Sequence, residues 1–203
     1  MSAYWMSQKS SGSACSWIEA ADEYFCTMNY EFRHLLNQDF HPLSRVWVYQ
    51  SSRLFSLGEA LEIEGTLLAF SGQWHSHGTP VKNEAHLFFG QFIVFIADET
   101  ATGVSGCSTD SSMRVIKSIE EKYHVAMFDR LSLAFIIDGK VQVLPMTQLQ
   151  YALDHGFVNG DTRYFNNIVL TKDELENNWI IPVRESWLAR KFAFHADPGV
   201  PRK

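Results

Sequence analysis

The chain has 203 residues, of which 46% are apolar and 20% charged, and its net charge is −6. That length suits one domain with appendages and is enough to bury a sizeable core. No apolar run reaches the ~18–20 residues of a membrane span, and no cluster of Lys and Arg offers phosphate groups a footprint, which argues against nucleic acid as a partner.

The N-terminus lacks a basic stretch followed by an apolar one, so no secretory signal is expected. Three cysteines, Cys15, Cys26 and Cys107, form no C-x-x-C and no even framework. Free thiols fit a reducing compartment, and a cytoplasmic location is expected.

Residues 1–43 begin polar and Ser-rich and then turn aromatic without a clear period. Two readings are open for them: a loosely attached extension or over-extended start, or a docking helix over Glu19 to Phe32. The regular pattern begins at Arg45. Val46-Trp47-Val48-Tyr49-Gln50 reads as a strand. Ser56-Leu57-Gly58-Glu59 is a capping box, and apolar residues then recur at helical spacing to Trp74, with Gly78 as the stop. Val81 to Phe89, a break at Gly90, and Phe92 to Ala97 read as a hairpin whose second strand is apolar on both faces and therefore central.

A second helix is expected from about Thr109 to Tyr123, with Ser108 as its N-cap. Leu131 to Ile137 and Lys140 to Leu144 flank Asp138-Gly139, a hairpin signal. Beyond these come a capping box at Thr147-Gln148-Leu149-Gln150, a helix ending at Gly156, a strand over Tyr164 to Leu170 and another cap at Thr171-Lys172-Asp173-Glu174. The order is β-α-β-β-α-β with a C-terminal extension. It predicts an α+β fold, an open β-sheet with helices packed on it and a ferredoxin-like centre. The predicted units are an extension over 1–43, one domain over 44–194 and a polar tail over 195–203.

The candidate chemistry gathers after the central strand. Asp98 and Glu99 end it, and a small-residue loop leads to Cys107 at the mouth of the second helix. A helix N-terminus carries about half a positive charge and stabilises a thiolate or a bound anion. Cys107 with Asp98 and Glu99 is one candidate constellation, a nucleophile with acid/base partners. Ser105, Gly106, Ser108 and Thr109, with Arg53 as counter-charge, are the other, an anion-binding loop. The plain alternative is a tight turn and a solvated strand end. Asp129-Arg130 reads as an ion pair at a junction, and Asn166-Asn167 as turn residues. The His75-Ser76-His77 pair, with His86 nearby in sequence, lacks a third ligand at fixed spacing, so no metal and no cofactor is expected.

The segments Val46 to Arg53, Ala97 to Glu99, Ser105 to Ser112, Phe128 to Arg130 and Phe165 to Asn167 resemble a small bacterial family whose members are often labelled "ABC transporter ATPase". The resemblance implies a small cytosolic protein. Phe92 to Glu99 also looks like a Walker B strand. A Walker A motif, G-x-x-x-x-G-K-[ST], is absent: the only Gly-Lys is Gly139-Lys140, followed by Val141. ABC-type ATPase activity is therefore not expected. The function that emerges is a non-catalytic module binding a small anionic ligand or a protein partner at the 102–112 loop. The alternative is a thiol-dependent enzyme using Cys107. Oligomeric state is left open.

Overall fold

The computed structural model describes residues 30–76, 79–98 and 106–192, except for the side chains of residues 76, 79 and 106–109. β1 (Arg45–Gln50) is built from β-branched and aromatic residues that favour extended backbone. Ser56 opens α1 (Leu57–Gln73): its hydroxyl accepts from Glu59 N–H while the Glu59 carboxylate accepts from Ser56 N–H, as their spacing predicts. A two-residue pair of strands, β2 (His75–Ser76) and β3 (Thr79–Pro80), leads into β4 (Lys82–Phe88) and β5 (Phe92–Asp98). The β4–β5 turn holds Phe89 at φ 54° and Gly90 at φ 61°. Two successive left-handed residues give this three-residue loop a tight turn, closed by Gln91 N–H on Phe88 C=O at 3.0 Å. Phe89 is held there by its ring, which stacks on Trp179 and tilts against Tyr30.

α2 (Gly106–Tyr123) then crosses back, and β6 (Ser132–Ile137) and β7 (Lys140–Pro145) follow, joined by Asp138 at φ 49° and Gly139 at φ 69°. The C-terminal part consists of α3 (Leu149–Asp154), β8 (Arg163–Phe165), α4 (Lys172–Asn178), β9 (Ile180–Pro182) and α5 (Leu188–Lys191). The larger sheets are antiparallel and run β1-β5-β4 and β7-β6-β8-β9.

Three apolar cores separate four layers. Strand alternation sends Trp47, Tyr49, Ile93 and Phe95 to one face of the first sheet, where Ile63 and Leu67 of α1 and Ile116 and Ile119 of α2 cover them. Val46, Phe92, Val94 and Ile96 face the other way and meet Ala134, Phe165 and Ile136 of the second sheet. The far side of that sheet, with Leu133, Phe135 and Tyr164, is closed by α3 and α5 through Leu149, Ala152 and Leu188. The order is helices, sheet, sheet, helices. β5 is buried along its whole length because both its faces are covered. No helix among the described residues is long and apolar enough to cross a membrane.

The chain is thus α+β, and four sequence expectations are corrected. A ferredoxin-like centre would set β6 on the outer edge of β1, but β6 pairs with β7 and β8 in a second sheet. β6 is apolar on both faces, and stacking between the first sheet and the α3–α5 layer covers both. Secondly, the packed unit begins before residue 44. Tyr30, Phe32, Leu36 and Phe40 are buried in the core between the sheets. Thirdly, α2 starts at Gly106, so Ser108 lies inside its first turn instead of capping it. Fourthly, Thr147 makes no cap. A 3-10 turn over Met146–Gln148 precedes α3, and neither Pro145 nor Gln148 caps with a side chain. The Thr171 cap does form, its hydroxyl accepting from Glu174 N–H. The polar tail over 195–203 lies outside the described residues.

Candidate functional site

The predicted constellation after β5 is only partly within the described residues. Glu99 and Ser105 lie outside them. Gly106, Cys107, Ser108 and Thr109 form the first turn of α2, with side chains outside the description. Asp98 is buried at the end of β5, and its carboxylate accepts from Lys82 Nζ at 3.2 Å. Lys82 also lies 4.8 Å over the Phe40 ring. That pairing ties β4, β5 and the 30–43 segment together, which is a structural role.

Arg53 does not belong with residues 105–109. It donates to both carboxylate oxygens of Glu59 at 2.8 Å and to Tyr123 C=O at 2.9 Å. Tyr123 is the last residue of α2, an 18-residue helix, so Arg53 lies roughly 25 Å from Gly106, a helix length away. The cause is electrostatic: a guanidinium satisfies a C-terminal carbonyl and the negative end of the dipole.

The Arg53 guanidinium, with help from Ser56 N–H, holds the Glu59 carboxyl down to about 2. A carboxyl lowered on folding adds stability above its unfolded range, and that stability is lost as pH falls through the folded value. Glu59→Gln is therefore expected to lower Tm at neutral pH, with the gap closing from the ordinary carboxylate range down to about 2. Ser56→Ala, which removes the hydroxyl side of the cap, is expected to cost about 1 kcal/mol by urea denaturation.

The polar groups that do converge lie elsewhere, in a cleft of about 360 Å³ where the two sheets part along the outer edge of β1. One wall is β1. In the antiparallel register Trp47 and Tyr49 exchange backbone bonds with Phe95 and Ile93, so the N–H and C=O of Val46, Val48 and Gln50 point away from β5. Val46 N–H donates to Leu170 C=O at 2.9 Å, closing one end. At the other end Gln50 Nε2 donates to Ser132 C=O at 3.2 Å and Gln50 Oε1 accepts from Asn167 Nδ2 at 2.8 Å. Asn167 Oδ1 accepts in turn from Trp179 Nε1 at 3.0 Å. Among the described residues no strand takes up the outward groups of Val48 between these closures.

The remaining walls come from the 127–133 segment and from Tyr164, Ile168 and Trp187. Tyr49 and Phe128 meet edge to face at 5.6 Å. Burial raises the Tyr49 phenol, opposed by a hydrogen bond with Ser112 and by the charge of Arg130. Burial also raises the Tyr164 phenol, and the approach of Trp187 lowers it. That approach is not a hydrogen bond of normal geometry, since Trp187 Nε1 is buried without a partner.

Asp129 and Arg130 do not pair, contrary to the sequence reading. The Asp129 carboxylate accepts from Ser132 Oγ at 2.6 Å and Leu131 N–H at 2.9 Å, which holds its carboxyl below the usual range. Arg130 is exposed at the rim, in no salt bridge among the described residues. In the sequence Tyr49 and Gln50 read as the end of a strand, Arg130 as half of an ion pair and Asn167 as a turn residue. Trp187 gives no signal there, because nothing local marks an indole 137 positions after Gln50 as its neighbour across a cleft.

Among the described residues no group of three His, Cys, Asp or Glu side chains could hold a metal ion. Gly139-Lys140 lies at the β6–β7 hairpin turn, with no helix after it to receive a phosphate. Comparison of the chain with protein-family models, with curated proteins and with solved structures returned no match.

Proposed function

We propose that this protein is a non-catalytic binding module, and that its site for a small carboxylate-bearing ligand is the cleft between the sheets. The observation that carries this reading is the indole N–H of Trp187, buried in the cleft wall with the Tyr164 phenol near it but no hydrogen bond of normal geometry. A buried donor left unpaired costs roughly 1–3 kcal/mol, and a ligand oxygen relieves that cost. Arg130 at the rim supplies the counter-charge, and the volume of about 360 Å³ falls in the range of small-ligand pockets. The cleft is preferred to the 102–112 loop because Asp98 is engaged by Lys82 and Arg53 stands at the far end of α2. The same burial of Asp98 weakens the thiol-enzyme reading, which would use it as an acid or base.

The test is a titration with 4-methylpentanoate, an apolar body with one carboxylate, followed by the indole N–H resonances in nitrogen-labelled protein. A saturable shift of the Trp187 signal is expected. Trp187→Phe keeps most of the ring volume and removes the unpaired donor. It is expected to hold stability within about 1 kcal/mol of the parent while weakening binding roughly five- to tenfold. An unmoved Trp187 signal at millimolar ligand would overturn the assignment of the cleft.

A further inference from the structure

Resting on that reading, we infer that the ligand is a short extended peptide that adds a strand to the outer edge of β1 and sets its carboxylate against Arg130. The inner wall of the cleft is backbone. Val48 turns both its N–H and its C=O outward, and among the described residues no strand covers them. The segment that could have done so leaves β1 just after one bond. Leu170 C=O receives Val46 N–H, and Lys172 N–H reaches Ser44 C=O. Before that point the chain bonds to itself, with Val169 N–H on Asn166 C=O and Asn167 N–H on Phe165 C=O. A stretch folded into local turns cannot also form a ladder with β1. The isolated bridge between Arg45 and Thr171 is where the pairing stops.

An uncovered strand edge is normally blunted by charge, by proline or by a covering loop, because it templates further pairing. Here β1 has no proline and its one charge, Arg45, lies at its start; the loop over 166–170 bonds the edge only at its two ends, and at Val48 the edge lies recessed in the cleft. From Val46 to Gln50 β1 runs roughly 13 Å, which accommodates about three residues of an added strand. Both ends are closed, by Leu170 and by the Gln50–Ser132 and Gln50–Asn167 bonds, so a long strand does not fit and a chain end does. The end closed by Ser132 belongs to the same segment as Arg130, which places the cation beside the terminal carboxylate of such a peptide. A simple carboxylate answers Arg130 and Trp187 but leaves both Val48 groups unpaired. Only an amide supplies an acceptor and a donor at strand spacing.

The experiment uses the full chain, labelled with nitrogen-15, and four probes: acetyl-Ser-Val-Thr-Val with a free carboxylate, its C-terminal amide, the same peptide N-methylated at its central residues, and 4-methylpentanoate. The free-acid peptide is expected to shift the Val48 backbone amide saturably. N-methylation is expected to abolish binding, and both the terminal amide and Arg130→Gln to weaken it roughly three- to tenfold, with Tm of the variant unchanged. If 4-methylpentanoate binds and moves Trp187 while no peptide moves Val48, the cleft is a small-acid site and the peptide inference is overturned alone. If the N-methylated peptide binds as well as its parent, strand addition is overturned. If no probe binds, both the cleft reading and the peptide inference fall.

Discussion

Trp179→Ala is expected to lower stability by about 4 kcal/mol, a large share of the ~5–15 kcal/mol that holds a domain of this size. Trp179 is fully buried. Its ring meets Phe32 edge to face at 4.8 Å, Phe92 at 5.5 Å and Phe165 at 5.6 Å, and it stacks on Phe89 at 5.8 Å. Those four rings come from the N-terminal segment, the β4–β5 turn and both sheets, so no single element can move in to fill the space. Its Nε1 also anchors Asn167, which holds Gln50 at the closed end of the cleft. Two effects therefore add: a cavity between the sheets and a loosened cleft wall. Trp179→Phe separates them, because it keeps an aromatic ring, leaves a smaller gap and removes the N–H. It is expected to cost far less stability and still to perturb the cleft. Urea denaturation gives the first quantity, and the Asn167 side-chain amide resonances report the second. A loss below about 1.5 kcal/mol for Trp179→Ala would show that the core between the sheets collapses around the gap.

Phe32→Ala is expected to cost about 3 kcal/mol, near the lower end of the range for buried aromatic truncation. Phe32 is 4% exposed, and its ring lies 5.4 Å from Phe88 and 4.8 Å from Trp179. The prediction bears on where the folded unit begins. If residues 30–43 were an appendage, the substitution would change the urea midpoint by an amount near zero, as surface changes do. A change of several kcal/mol with the m-value unaltered would show that this segment belongs to the core. The buried neighbours Leu36 and Phe40, and Lys82 lying over Phe40, argue the same way.

The sequence legibly marks those features whose causes lie within a few residues. The Ser56–Glu59 box and the Thr171 cap form because donor and acceptor are three positions apart on one turn. Asp138-Gly139 turns β6 into β7 because those two residues accept left-handed backbone readily. The continuous apolar run from Phe92 to Ala97 announces a strand covered on both faces, and β5 is buried throughout. Thr147 shows the limit of such signals. It has the spacing of a cap, but the chain enters α3 through a 3-10 turn after Pro145, and the hydroxyl makes no cap.

Most element types and their order, and hence the α+β class, were determined by the sequence itself, since period and capping chemistry are local properties; the strand expected over Tyr164 to Leu170 instead ends at Phe165 and gives way to turns. The tertiary structure alone decided which edges meet. Whether β6 joins β1 or starts a second sheet depends on the sum of apolar faces to be covered, and that sum is spread from Tyr30 to Leu188. The same holds for charge. Arg53 is close in sequence to the end of β1 and reads as an anion partner, yet Glu59 in the first turn of α1 and Tyr123 C=O, brought by the crossing of α2, take it first. The cleft is the clearest case. Val48, Arg130 and Trp187 are each unremarkable in their own stretch of chain. They face one space only because residues 166–170 bond to themselves and leave unpaired the middle of an edge more than a hundred residues away in the chain.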